Sequence, residues 1–247
     1  MVLMRCVVWA ALIAALVPAL PAFSQSHPGG SAAALPVTAA ASSASPSALL
    51  SGDNDVWDAV SAVPVHLNHT PPLYDTDGKD DGYRPKASMR LIRQDSLLYL
   101  RLTWTDSTVD SIPAAKRYAD AGEPELYKRQ SEAIDQFRDA ACIMTPSGKL
   151  EGANPSLVMG DVGHPVTLYY WRNGEGFVVG EAAGRGSTTM STTPFPGYAS
   201  HQADQWKVVF ALPMSTASMP IAVAIWDGSR DHRDGLKYYS LWYEVNQ

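Results

Sequence analysis

Residues 98–104, Leu-Tyr-Leu-Arg-Leu-Thr-Trp, alternate in character with a period of two. This places Leu98, Leu100, Leu102 and Trp104 on one face of a strand and Tyr99, Arg101 and Thr103 on the other, as in a half-buried β-strand. A strand with one apolar face needs sheet neighbours and a second layer to cover it. The rest of the chain supplies both. Residues 63–67, 87–94, 166–171, 176–183, 205–212, 219–226 and 237–245 read as further strands, the second joined tightly to 96–104 at Asp95. Asn173-Gly174 between 166–171 and 176–183 is a strong hairpin signal. Residues 123–138 have a helical pattern around Leu126, Tyr127, Ile134 and Phe137. Many short strands, Gly/Pro turns and one helical insertion predict a mainly β fold, an antiparallel β-sandwich.

Three zones precede or make up that domain. Residues 1–24 combine Arg5, an apolar run from Val7 to Val17 and small residues near Ala22. This is the pattern of a cleavable export signal, and the run is too short to span a bilayer. Residues 25–50 are rich in Ser, Ala, Pro and Gly and are predicted to be a disordered linker. Residues 51–247 are expected to form one domain.

Without Arg5 the chain has 18 basic against 25 acidic residues, a net charge of −7. That balance, with no basic tract, disfavours nucleic acid and anionic lipid as partners. Removing the signal also removes Cys6, which leaves Cys142 alone, so no intrachain disulfide, cysteine-ligated cluster or structural zinc is expected. Cys142 itself reads as an inert core thiol within an apolar strand. Nucleophile elbow, phosphate loop, dinucleotide fingerprint and His-Glu-x-x-His motifs are all absent. Asp75-Thr-Asp-Gly-Lys-Asp-Asp-Gly82 begins like a calcium loop, but the twelfth position is Lys86 where a bidentate Glu is required. It reads as an acidic loop.

The end of the chain is distinctive. Residues 221–226 form an apolar strand ending in Trp226-Asp-Gly, then comes a charged loop, then Gly235-Leu-Lys237 opens a second apolar segment. A lysine beside Tyr238, Tyr239 and Trp242 is expected to lie against apolar surface, which disfavours its charged form and frees a lone pair for a metal. Four earlier blocks accompany it in order: Asp53-Asn-Asp-Val-Trp57; Leu98 to Asp106 ending in Trp-Thr-Asp; Phe137-Arg-Asp-Ala-Ala141; and Val158-Met-Gly-Asp161 with Pro165-Val166 and Trp171.

Together these blocks resemble the haem b (gamma) subunits of periplasmic molybdenum enzymes related to ethylbenzene, dimethylsulfide, selenate and chlorate oxidoreductases. The resemblance implies one non-covalent haem b with Met159 and Lys237 as axial ligands. Haem attachment through thioethers is not expected, because there is no Cys-x-x-Cys-His. Arg230 and Arg233 are candidate partners for the haem propionates. Met144 and His164 are rival ligands to Met159. His66, His201 and His232 are expected to be surface or satisfied core histidines.

The resemblance further implies a six-coordinate electron relay in the periplasm, not catalytic by itself. Its implied partners are an iron–sulfur subunit, a molybdopterin catalytic subunit and a soluble c-type cytochrome or similar carrier. The alternative is a carbohydrate-binding β-sandwich without haem, in which Trp57, Trp104, Trp171, Trp206, Trp226 and Trp242 would offer stacking platforms for sugars.

Overall fold

The computed structural model describes residues 34–71, 80–111, 138–148, 150, 152–214, 216–232 and 235–246. The expected export signal and the helical segment 123–138 up to residue 137 lie outside these residues, as do Asp75 and Asp77 of the acidic loop. The described residues belong to one compact unit.

In chain order the strands are β1 (Leu35–Thr38), β2 (Ala40–Ala41), β3 (Val63–Val65), β4 (Asn68–His69), β5 (Ala87–Gln94), β6 (Leu97–Thr105), β7 (Ala140–Pro146) and β8 (Val166–Arg172). They continue with β9 (Gly176–Ala182), β10 (Thr189–Pro194), β11 (Gly197–Gln202), β12 (Gln205–Pro213), β13 (Ser218–Trp226), β14 (Tyr238–Tyr239) and β15 (Tyr243–Asn246). One short helix, α1 (Pro46–Leu50), and 3-10 turns at Asp55–Trp57 and Gly228–Arg230 complete the described elements. The single strand expected over 237–245 is two, β14 and β15, separated by a break at 240–242.

The strands form two sheets. One runs β1-β15-β13-β7-β8-β9-β10, with β14 beside β13 and β4 beside β14; the other runs β11-β12-β6-β5-β2, with β3 beside β5. All pairings are antiparallel except β1 with β15 and β2 with β5. The mainly β sandwich predicted from alternation is therefore present. Asp95 adopts φ +52°, the left-handed conformation that lets Gln94 pair with Leu97 across a two-residue turn. Ala203 and Asp204 make the β11–β12 turn with φ +50° and +56°, a turn of the same hand without a glycine to announce it.

Leu98, Leu100, Leu102 and Trp104 point into the inter-sheet core with Met89, Leu91, Phe210, Ile143, Val223 and Ile225. Each such side chain contributes about 1.5–3 kcal/mol when fully buried. Trp104 stacks on Trp206 at 6.2 Å between ring centroids, and Trp171 from the opposite sheet meets Trp206 at 4.6 Å. All six tryptophans proposed as sugar platforms are at most 8% exposed. Trp57, Trp104, Trp171 and Trp206 are packed away from solvent, which removes them as sugar platforms, while Trp226 and Trp242 belong to an apolar cluster on the outer face of the larger sheet.

Two expectations are corrected. Residues 35–50 are not a disordered linker. β1 runs parallel to β15, β2 runs parallel to β5, and α1 is capped by Ser45, whose side chain accepts from Ala48 N. Strand addition uses backbone hydrogen bonds, which a small-residue composition can make as well as any other. For the same reason 97–105 is not half-buried. Its second face is covered by Leu49 and Trp57, which pack on Ile92, Tyr99 and Val209. There Arg101 is only 6% exposed; its guanidinium lies 5.4 Å from the Trp57 ring centroid and donates to the Gly52 carbonyl at 2.8 Å.

Candidate functional site

The outer face of the larger sheet carries a second apolar cluster. In β13, Ile221, Val223 and Ile225 face the inter-sheet core while Ala222, Ala224 and Trp226 face outward. In β7, Ala141 and Ile143 face inward and Ala140, Cys142 and Met144 outward. Register pairs Met144 with Ala222, Cys142 with Ala224 and Ala140 with Trp226. Small outward side chains thus form a recessed floor, running from the Met144–Ala222 pair to the Ala140–Trp226 pair. Four residues of strand make it about 13 Å long.

Above this floor is a small, shallow pocket, partly open to solvent. Its walls include Leu168 and Tyr170 from β8, Tyr239 from β14, Trp226, Leu157, Met159 and Lys237. Its lining, mostly apolar with few polar groups, is of the kind that takes a small molecule or cofactor. Met159 and Lys237, 78 residues apart in sequence, are both on it.

They approach from opposite ends. The Met159 carbonyl accepts from Gly184 N at 2.8 Å, just beyond β9, and Gly160 packs near His164 and Val166 at the start of β8. That is the Met144–Leu168–Ala222 end of the floor. Met159 itself has φ +68° and is followed by Gly160 at +71°. A left-handed conformation costs a non-glycine residue about 1–2 kcal/mol, so the surrounding structure holds Met159 in a strained place, a feature that accompanies functional positions.

Lys237 sits at the other end, where Tyr239 pairs with Ala224 and Tyr238 with Ile225. Thr70 clamps its backbone: Lys237 N donates to Thr70 Oγ1 at 2.8 Å, and the Lys237 carbonyl accepts from Thr70 N at 3.0 Å and from Thr70 Oγ1 at 3.1 Å. The ammonium end lies 5.3 Å from the Trp226 ring centroid, a cation–π distance. Tyr239 shares the cavity, whereas Tyr238 turns into the inter-sheet core.

The rival ligands separate cleanly. Met144 is on the floor of the same cavity. His164 is in an exposed turn with Nδ1 3.1 Å from Asp161 Oδ1, and it does not line the cavity. Cys142 lies on the floor, and burial pushes its thiol up to about 12, partly opposed by the charges of Lys237 and Arg172. It is a neutral thiol, inert as expected.

Arg230 is not brought to the cavity. Its Nη1 binds Asp81 Oδ2 at 2.9 Å, its Nε lies 3.6 Å from Asp227 Oδ2, and its guanidinium covers Tyr83 at 4.0 Å. Arg233 lies outside the described residues. Of the histidines, His201 Nε2 lies 2.8 Å from the Asp106 carbonyl and the buried His232 meets His69, Nε2 to Nε2, at 3.1 Å.

Sequence reading missed the role of Thr70 and the contact of Trp226 with Lys237. The alternation of Ala222 and Ala224 with Ile221, Val223 and Ile225 was the signal available for the floor.

No family model matches the chain. Curated relatives do. A protein of Haloferax mediterranei named as a respiratory nitrate reductase haem subunit is 26% identical over 203 residues, 77% of this chain and 65% of its own length. The dimethylsulfide dehydrogenase subunit gamma of Rhodovulum sulfidophilum is 28% identical over 211 residues, 76% of this chain and 71% of its own. The chlorate reductase subunit gamma of Ideonella dechloratans is 26% identical over 173 residues, 65% of this chain and 64% of its own. The chain therefore spans about two thirds of the length of these relatives.

Among solved structures, a carbohydrate-binding protein of Bacteroides uniformis has a TM-score of 0.49 at 10% identity, covering 85% of this chain and 91% of the other. A family 9 carbohydrate-binding module from Caldicellulosiruptor kristjanssonii bound to glucose has a TM-score of 0.48 at 13% identity, covering 85% and 94%. Likeness at that level says nothing about what this chain binds. The resemblance to haem and gamma subunits rests instead on the three sequence relatives.

Proposed function

We propose that this chain is a b-type cytochrome subunit that relays electrons and is not catalytic by itself. The carrying observation is that Met159 and Lys237 reach one apolar cavity from opposite ends of its floor. A soft thioether and an amine nitrogen are a recognised donor set for haem iron, and two side chains completing the coordination leave no open position for substrate.

The cavity residues fit such a group. Leu168, Tyr170, Trp226 and Tyr239 provide apolar and aromatic walls, and Cys142, Ala222 and Ala224 on the floor are small. Bound there, haem b would supply a one-electron ferric–ferrous couple. The protein holds Met159 through its bonded carbonyl and Lys237 through the Thr70 clamp. Lys237 must give up a proton to donate its lone pair, so loading releases a proton and weakens as pH falls. With Cys142 a neutral thiol, the floor adds no negative charge.

In this reading the chain is exported to the periplasm. There it sits between an iron–sulfur and molybdopterin oxidoreductase and a soluble carrier such as a c-type cytochrome. The names of the relatives as gamma and haem subunits of reductases and a dehydrogenase support such partners. No helix among the described residues is long and apolar enough to cross a membrane.

The test is optical. Expressed with ample haem supply, the full chain should purify red with a low-spin spectrum. Lys237→Ala should abolish the low-spin form. A colourless, iron-free chain overturns the proposal, and an unchanged Lys237→Ala spectrum removes Lys237 from the ligand set.

A further inference from the structure

A second constellation lies beside the strand end that carries Trp226. Asp106 follows β6, Asp139 precedes β7 and Asp227 follows β13. One carboxylate oxygen from each lies within 4.8 Å of the others, and the three residues are only 5%, 0% and 7% exposed. Asp139 is an oriented acceptor: its Oδ1 takes Gly228 N at 3.0 Å, and its Oδ2 takes Asp110 N at 2.7 Å and Trp206 Nε1 at 3.3 Å. Asp227 Oδ1 accepts from Ser229 N and Oγ, and Asp106 Oδ1 accepts from Thr108 N and Oγ1.

Asp106 Oδ2 is different. It is fully buried on a residue only 5% exposed, and among the described residues no hydrogen bond reaches it. A buried carboxylate oxygen without a donor is costly, and this one belongs to a carboxylate facing two others. The nearest cation described is Arg230, 3.6 Å from Asp227 and already engaged by Asp81.

Three carboxylate oxygens this close together can share one cation. Oxygens bound to one calcium ion sit about 2.4 Å from it, hence no more than about 4.8 Å from one another. All three donors are hard oxygens, which disfavours copper, zinc or iron. Magnesium keeps most of its water and demands a stricter octahedron, so it suits a buried triple-carboxylate cage less well.

We propose that Asp106, Asp139 and Asp227 bind one hard divalent cation, calcium in preference to magnesium. The ion would tie the end of β6 in one sheet to β7 and β13 in the other, and so fix the Trp226-Asp-Gly turn. The site does not depend on haem.

Trp206 makes the test direct, because its indole touches Asp139 and can sensitise terbium bound at the triad. Chelator-stripped full-length chain is titrated with terbium under tryptophan excitation. Sensitised emission should appear, be displaced by calcium, and be displaced by magnesium only at far higher concentration. Asp106→Asn keeps the acceptor for Thr108 and should weaken terbium binding by more than about tenfold. Independently of any variant, millimolar calcium should raise the thermal midpoint of the stripped wild-type chain by mass action. A midpoint that calcium does not move, or emission unchanged by Asp106→Asn, overturns the proposal.

Discussion

The indole N–H of Trp242 donates to the carbonyl of Pro155 at 3.1 Å. This single bond pins the segment that carries Met159 to the strand pair that follows Lys237, so the two ends of the cavity are not independent. Trp242→Phe keeps the ring and removes the donor, leaving a buried carbonyl unpaired at about 1–3 kcal/mol. The expected result is faster amide exchange at Gly160 and Gly184, whose N–H groups bond Ser156 and Met159. Exchange in β7 and β13 should stay slow.

The two methionines of the cavity differ in how they are held, and this predicts different outcomes. Met144 is 7% exposed on a central strand, packed like a core residue. Met144→Leu conserves volume and should cost less than about 1.5 kcal/mol, with the low-spin spectrum of haem-loaded protein intact. Met159 is presented on a strained turn at the cavity's end, and Met159→Leu should remove the sulfur-ligation signature at similar stability. The reverse pattern assigns the ligand to Met144.

Leu49 tests whether residues 46–50 belong to the domain. It is fully buried in α1 against Ile92, Tyr99 and Val209. Leu49→Ala should destabilise by about 2–5 kcal/mol, read as a lower urea midpoint at unchanged slope. In a disordered linker the same change would do nothing.

That segment also shows where sequence reading stops. Residues 98–104 announced their strand because the core demanded leucine at every second position. β1 and β2 demand no particular side chain: Leu35 N donates to the Trp242 carbonyl and Ala39 N to that of Asn246, bonds that composition does not encode. The same holds at the site. Lys237 and Met159 were singled out through flanking motifs, but Thr70 holds the Lys237 backbone from 167 residues away, through its hydroxyl and its N–H, and the strain at Met159 is a dihedral. Asp106, Asp139 and Asp227 are ordinary aspartates until β6, β7 and β13 bring their ends together.

Asp53 predicts the acid limb of stability. Lys207 Nζ donates to its Oδ1 at 2.6 Å, Tyr198 Oη donates to its Oδ2 at 2.5 Å, and Ser200 Oγ lies 3.4 Å from the same oxygen. These bonds, that from Lys207 foremost, hold the carboxyl below its ordinary 3.8 in the folded state. The unfolded chain therefore takes up this proton first as pH falls. The stabilisation is fully present above 3.8 and is lost as pH drops through the lower, folded value. Asp53→Asn removes the charge while keeping an acceptor. Urea unfolding across a pH series should show this variant less stable than wild type at neutral pH, with the gap narrowing below pH 3.8. Because the group is partly exposed, added salt should shrink the neutral-pH gap as well. A gap that stays constant from neutral to acid pH would mean that Asp53 contributes through packing of residues 52–57 against β11 and β12 and not through its charge.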